Sequence, residues 1–303
     1  MNLNNQENSQ KEVKSGVNQG RETGNWRNFH RFYAGNVSFD MNNNLVLPES
    51  TAHQVLKVLR MKVGDSLVLT NGLGAECLSV IDSVTQNNKK DVSVIVKNTE
   101  IINYEVCLTG SDVKREQVIA CVPIIRKERF EWMLEKLSEL HVDHIIPIIT
   151  SRTLVKNISV PRLNKIIIEA MEQSGGVYLP ILHNTVNLPD LIPQLANIKA
   201  QVGSELDFLT FDFNGKPILE FLQARNNIAI KEKKNSCVAF CVGPEGGFTE
   251  EEGRLINSSC EKLNVKHSVV SFGGVKDGSA ILPVLRTETA AVSAAVSIRF
   301  FSK

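Results

Sequence analysis

The residues whose types and spacing best suit ligand chemistry are Gly243-Pro244-Glu245-Gly246-Gly247, followed by Phe248-Thr249-Glu250-Glu251-Glu252. The run follows an apolar, strand-like SCVAFCV and leads into a helix. Thr249 and Glu252 have the spacing of a capping box, and Leu255, Ile256, Cys260 and Leu263 form the helix's apolar stripe. Open α/β sheets bind ligands at glycine-rich turns on the carboxyl ends of their parallel strands. Gly246 and Gly247 would let the backbone approach a ligand closely, with its amides available. Taken alone, the feature leaves two readings open, a ligand loop and an ordinary strand-to-helix turn. It excludes several classes. The chain has no GxxxxGK[ST], and Gly72-Leu73-Gly74 lacks both the continuation and the βαβ setting of a dinucleotide fingerprint, which argues against a kinase, a GTPase or a typical NAD enzyme. It also lacks the GxSxG elbow of an α/β hydrolase.

Two further clusters carry polar chemistry. Leu285-Arg286-Thr287-Glu288-Thr289-Ala290 opens the terminal helix AAVSAAVSI, whose Ala, Ser and Val surface allows another backbone to pack closely. An arginine beside a carboxylate at a helix start reads either as a functional pair or as a salt-bridged cap. Glu169-Ala170-Met171-Glu172-Gln173-Ser174-Gly175-Gly176 ends a helix in a double glycine; a C-cap explains the glycines but not why Glu172 and Gln173 stand together. His141 and His144 flank Asp143 at a helix–strand junction, where satisfying turn polar groups is the simpler role and metal binding is not expected. Six scattered cysteines without CxxC pairs read as buried thiols of a reducing compartment, not as a zinc site.

The elements that must hold these residues fall into two patterns. Residues 29–104 are short and strand-dominated: RFYAGNVSF, LVLP, SLVLT, ECLSVIDSV and DVSVIVKN, with one helix from Glu49 to Arg60 that sets Ala52, Val55, Leu56 and Leu59 on one face. A compact barrel-like domain fits. After a polar stretch near Ser111–Gln117, strands and helices alternate over 115–303. VIACVPII is followed by a helix over Arg126–His141, and HIIPIIT by a helix over Pro161–Gln173. Further strands are expected at Asp207–Phe213 and Ser236–Val242. Such alternation predicts a parallel sheet covered on both faces. Residues 1–28, rich in Asn, Gln, Glu and Lys, are expected to form a disordered tail that is neither a secretory signal nor an organellar leader.

Bulk properties add limits. The 303 residues are 42% hydrophobic and 22% charged, as in a soluble globular protein, and no run approaches the roughly 20 apolar residues of a membrane span. A formal charge of +1 gives no compositional support for nucleic-acid binding, so any such footprint must be local.

Taken in order, RFY near the start, His53–Asp65 (HQVLKVLRMKVGD), Lys127 with EKLSEL, EAMEQS, GPEGGFTEEE and LRTETAA resemble the RsmE family of ribosomal RNA small-subunit uracil-N3 methyltransferases, within the SPOUT superfamily. The resemblance runs from about Phe29 to the end. It implies a PUA-like RNA-binding domain ahead of an α/β domain whose C-terminal segment is threaded as a trefoil knot. It also implies S-adenosylmethionine as cofactor, small-subunit ribosomal RNA as substrate, a homodimer with cofactor sites near the subunit interface, and a cytoplasmic location. By the same resemblance, Gly243, Pro244, Glu245, Gly246 and Gly247 contact the cofactor. Leu285, Arg286 and Thr287 close around it, and Lys127, Glu172 and Gln173 face the active site, Gln173 toward RNA. His53 and Arg60 dock RNA through phosphates. Arg286 is the expected electrostatic partner of a forming uracil anion; no residue is assigned as the base. The chain departs from the family pattern at Gly176 and Pro283, where the family carries arginines. These departures keep two rivals open: a SPOUT enzyme with another RNA target, and a non-catalytic RNA-binding assembly factor.

Overall fold

The computed structural model describes residues 26–86, 92–104, 116–154, 157–202, 205–232, 236–273 and 284–301. The first domain is one five-stranded sheet of β1 (Arg31–Tyr33), β2 (Asn44–Val46), β3 (Ser66–Thr70), β4 (Ala75–Gln86) and β5 (Val92–Asn103), in the order β1-β3-β4-β5-β2. Only the β1–β3 pair is parallel. Phe32, Val55, Leu67, Leu69, Ile81, Val94 and Val96 form its core.

The single helix expected over Glu49–Arg60 is α1 (Glu49–His53) continued by a wider π-turn, Gln54–Val58. Ala52 and Val55 are buried as their spacing predicts, and Leu56 and Leu59 pack against the core. The wider winding shows in Leu59 N–H donating to the Gln54 carbonyl, and Met61 N–H donating to that of Val55 closes the helix end. It ends at Arg60, whose φ of 56° breaks the helix. Most of the expected tail, residues 1–25, lies outside the described residues. Its last residues do not behave as a tail: Trp26–Asn28 form a 3-10 turn, and Trp26 is buried. The polar connector near Ser111 also lies outside the described residues up to residue 115.

The second domain alternates as expected. It contains β6 (Gln117–Pro123), α2 (Lys127–Glu139), β7 (His144–Ile149), α3 (Val160–Ser174), β8 (Ile181–Leu182) and β9 (Val186–Asn187). These are followed by α4 (Leu188–Val202), β10 (Glu205–Pro217), α5 (Ile218–Glu232), β11 (Ser236–Cys241), α6 (Glu250–Lys262), β12 (Lys266–Ser271) and α7 (Thr287–Phe301). The strand order is β12-β10-β11-β6-β7-β8, with β9 also on β7, and every pairing is parallel.

Each face of this sheet has its own core. Along β6, Val118, Ala120 and Val122 face α2, α3, α5 and α7, while Ile119 and Cys121 face α4 and α6. The five described cysteines are free and buried. Burial pushes Cys260 to about 11 and Cys237 to about 12, so neither is a nucleophile at neutral pH. Asp143 serves its junction, accepting from Val118 N–H at 2.8 Å and pairing with Arg299 of α7 at 2.6 Å, while His144 shares a 2.9 Å hydrogen bond with His183.

The small-residue face of α7 is already covered. Ala291, Ala294, Ala295 and Ile298 are fully buried in the chain's own core, so this face offers no surface to a second copy; the exposed apolar groups of the helix are Phe300 and Phe301. Among the described residues, no helix is long and apolar enough to cross a membrane, and no group of three or more His, Cys, Asp or Glu is placed to hold a metal.

Candidate active site

The carboxyl ends of β10, β11 and β12 and the start of α7 enclose a pocket of about 160 Å³. Each wall has a local cause. After β11 the chain turns through Gly243–Gly247, with Gly247 N–H donating to the Pro244 carbonyl at 2.8 Å. Gly247 has φ 69°, which a side chain would strain, and nothing lies within 4 Å of where its Cβ would be. At Gly243 a Cβ would come within 3.1 Å of the Gly247 backbone. These two glycines line the pocket. Gly246 does not: a Cβ there would meet the Arg152 side chain at 2.9 Å, outside the cavity.

The loop is pinned from three sides. The capping box forms as its spacing predicts: Thr249 Oγ1 accepts from Glu252 N–H, and Glu252 Oε2 accepts from Thr249 N–H. Glu252, buried, also accepts from Ser151 N–H at 2.7 Å, which ties α6 to the turn after β7. From that turn Arg152 donates to the Gly246 carbonyl. Thr287 Oγ1 donates to the Gly243 carbonyl at 3.1 Å, so the start of α7 is fastened to the same loop.

On the opposite wall, β10 leaves its pairing with β12 between Phe211 and Lys216. Gly215 permits this, since a Cβ there would sit 2.4 Å from the Val270 backbone. The looped-out residues bring Asp212 and Phe213 to the pocket, where Phe211 stacks on Phe272 at 4.5 Å.

Among the described lining residues the charged side chains are Asp212 and Glu245, and the aromatic ones are Phe211, Phe213, Phe248 and Phe272. Acidic groups with aromatic faces favour a cationic ligand bearing a flat ring. The glycine turn leaves room for close backbone approach. S-adenosylmethionine, with a sulfonium, an ammonium and an adenine, fits this donor set.

The other expected site residues are distributed unevenly. Pro244, Glu245, Leu285 and Thr287 line the pocket. Arg286, between the last two, is exposed and outside the lining. Lys127 is exposed beside a separate cavity with Glu131, Asn157 and Ser159. Gln173 is exposed, as are His53 and Arg60 on the first domain. Glu172 lies at the seam between domains: its Oε1 accepts from Tyr33 N–H at 2.7 Å. Gly175 is the left-handed C-cap of α3, as the double glycine predicts. Gly176, one of the two departures, is buried, and a Cβ there would lie 2.9 Å from Met171. Pro283 lies outside the described residues.

Sequence reasoning missed Arg129 and Arg152. Arg129 stands 3.8 Å from both Glu245 of the loop and Glu288 of α7. Glu288 is buried, and its other oxygen has no hydrogen-bond partner among the described residues. The available signal was position: Arg129 falls in the first turn of α2 and Arg152 just past β7, both at the carboxyl edge of the sheet.

Comparison with known proteins agrees with this architecture. Residues 113–270 match the family model described as an RNA methyltransferase domain, and residues 47–95 match the RNA methyltransferase PUA domain. The ribosomal RNA small subunit methyltransferase E of Rickettsia conorii is 26% identical over 271 residues, 89% of this chain and 95% of that one. A Legionella pneumophila structure described as a methyltransferase with bound cofactor SAM is 27% identical, covers 89% of this chain and 97% of its own, and has a TM-score of 0.66. The ribosomal RNA small subunit methyltransferase E of Neisseria gonorrhoeae, bound to S-adenosyl methionine, shares the fold with a TM-score of 0.66 over 89% of this chain and 97% of its own, at 22% identity. The chain therefore belongs to the RNA methyltransferase family, among the RsmE proteins.

Proposed function

We propose that the protein transfers a methyl group from S-adenosylmethionine to N3 of a uracil in small-subunit ribosomal RNA. The observation that carries this reading is the pocket itself, a glycine-turned loop at the carboxyl ends of parallel strands, lined by acids and aromatic rings and latched by Thr287. S-adenosylmethionine, when bound, supplies an electrophilic methyl group on a positively charged sulfur. The chain's part is to hold and orient. Gly243 and Gly247 admit the ligand to the backbone, Asp212 and Glu245 complement positive charge, and Thr287 keeps the α7 side of the pocket closed on the loop.

The N3 position of neutral uracil carries a proton that must be removed or shared for attack, and the base must leave its pairing to expose that edge. Arg286, exposed beside two pocket-lining residues, is the cation we assign to the negative charge developing on the base. The first domain, with exposed His53 and Arg60, serves to dock RNA by its phosphates. A C-terminal trefoil knot, a cytoplasmic location and a homodimer belong to the same reading; exposed Phe300 and Phe301 supply apolar surface for the dimer. Light scattering at micromolar concentration checks the dimer.

The test is calorimetric titration with S-adenosylmethionine, followed by incubation with small ribosomal subunits from cells lacking the gene and nucleoside mass spectrometry. Micromolar or tighter binding and new 3-methyluridine are expected. A different methylated nucleoside would indicate another RNA target, and no cofactor binding would favour the assembly-factor reading.

A further inference from the structure

We propose that the turn Asn71–Gly74, the segment Val177–Leu179 that follows α3 and Glu172 form an interdomain clasp that holds the RNA-docking domain at a fixed reach from the methyl-transfer pocket, which makes Glu172 a positioning residue and not a catalytic one. The functional half of this inference rests on the proposed RNA methylation.

The clasp is built from backbone. Gly74 N–H donates to the Val177 carbonyl and Leu179 N–H to the Gly72 carbonyl, each at 2.9 Å. Leu73 and Tyr178 between them form an antiparallel bridge. A single bridged pair with two hydrogen bonds thus joins a turn of the first sheet to a segment of the second domain. The glycines are needed for it. At Gly72 (φ 69°) a Cβ would meet Leu179 at 2.9 Å and Tyr33 at 3.0 Å; at Gly74 (φ 98°) it would meet the Tyr178 ring at 2.7 Å. Asn71 shapes the turn, its Oδ1 accepting from the amides of Leu73 and Ala75.

Glu172 closes the second point of contact. The Tyr33 amide belongs to edge strand β1 and points away from β3, since the Ala34 amide is the one that bonds Thr70. Without a partner it would be an unpaired donor at a domain boundary. The Glu172 carboxylate reaches from α3 to accept it. Beneath lies a third layer: Arg31 pairs with buried Glu76 at 2.5 Å, Tyr104 donates to the other Glu76 oxygen at 2.8 Å, and the Arg31 guanidinium lies 3.4 Å from where a Cβ of Gly175 would be.

Domains within a chain move relative to one another unless their interface restrains them. Phosphate contacts position RNA without specifying a base, and two linked binding surfaces engage one RNA best when their separation matches the span between their two sites on it. A rigid spacing between the two RNA-facing surfaces meets that requirement. It also explains why a carboxylate stands at a helix end outside the pocket lining.

The experiment compares Glu172→Ala, Glu172→Gln and Gly74→Ala with the unmodified protein, using small subunits from cells lacking the gene as substrate and small-angle scattering of the free protein. Glu172→Ala and Gly74→Ala are expected to raise KM for subunits about tenfold, as two linked surfaces lose their mutual effective concentration. Both should leave S-adenosylmethionine affinity and kcat within about twofold and broaden the scattering distance distribution. Glu172→Gln, whose amide oxygen still accepts from Tyr33 N–H, is expected to behave as the unmodified protein. A Glu172→Gln enzyme that loses kcat at unchanged KM would overturn the proposal by making the carboxylate catalytic. So would a folded Glu172→Ala protein with unaltered scattering. If the unmodified protein methylates no subunit RNA, the functional reading fails, and the scattering arm still decides the clasp.

Discussion

Gly247 and Gly74 occupy similar backbone conformations, φ 69° and 98°, for opposite reasons. Around Gly247 the space a side chain would take is empty, and the chain leaves it so beside the pocket. Around Gly74 that space is filled by the Tyr178 ring of the other domain. One glycine keeps room for something that arrives; the other lets two parts of the protein close. Glycine-rich turns are commonly read as ligand loops, and here a motif of two glycines in three residues binds the protein to itself. What separates the two is the neighbourhood of the missing side chain.

Gly247→Val separates the two glycines most sharply. Affinity for S-adenosylmethionine should fall at least about 100-fold, equivalent to about 2.7 kcal/mol, while the protein stays folded. Gly246→Ala, whose added methyl meets the flexible Arg152 side chain first, should cost far less. Titration calorimetry on both variants checks the order, and a reversal would relocate the cofactor. Arg286→Ala should slow single-turnover methylation by about 10²-fold with an unchanged melting temperature, because the side chain is exposed. A loss of stability instead would return Arg286 to a helix-capping role.

Gly74→Val should do the reverse of Gly247→Val. Thermal unfolding should show a loss of about 1–3 kcal/mol from backbone strain plus the clash with Tyr178, with cofactor affinity retained. Arg129→Ala should weaken cofactor binding by only about threefold to fivefold, since its two ion pairs are long and partly exposed. No change would show that Glu245 and Glu288 hold the loop without it.

The smallest effect concerns pH. Burial raises the Glu172 pKa above 4.5, with Glu169 adding to this and the Tyr33 hydrogen bond opposing it. A carboxyl with a raised folded pKa contributes stability that is fully present below its unfolded value and is lost as pH rises through the folded one. Glu172→Gln keeps the acceptor and carries no charge. It should therefore melt slightly above the unmodified protein at pH 7, with the gap closing toward pH 4.5. A gap that widens on acidification would contradict the burial of this carboxylate.

The sequence was most legible where causes are local. The apolar run of β6, the Thr249–Glu252 box and the Gly175 cap are each set by residues within a few positions of one another. It was least legible where partners are distant: Glu252 also serves Ser151, 101 residues away, and Glu172 serves Tyr33, 139 away. Helix α4 went unread because Pro189 and Pro193 interrupt a stripe of Leu188, Leu191, Ile192, Leu195 and Ile198 that is nevertheless buried. Edge strand β12, KHSVVS, is short, four of its six residues are polar, and only its last two residues are buried. The alanines of α7 were legible as a close-packing face, but nothing in their spacing says whether the backbone they meet belongs to the same chain. It does.

We propose that this pocket serves methylation of N3 of a uracil in small-subunit ribosomal RNA. The most direct test is mass spectrometry of nucleosides from that RNA, isolated from cells with and without the gene. Loss of 3-methyluridine in the deletion, restored by the unmodified gene and not by a Gly247→Val copy, is the predicted result. An unchanged 3-methyluridine content in the deletion would contradict it.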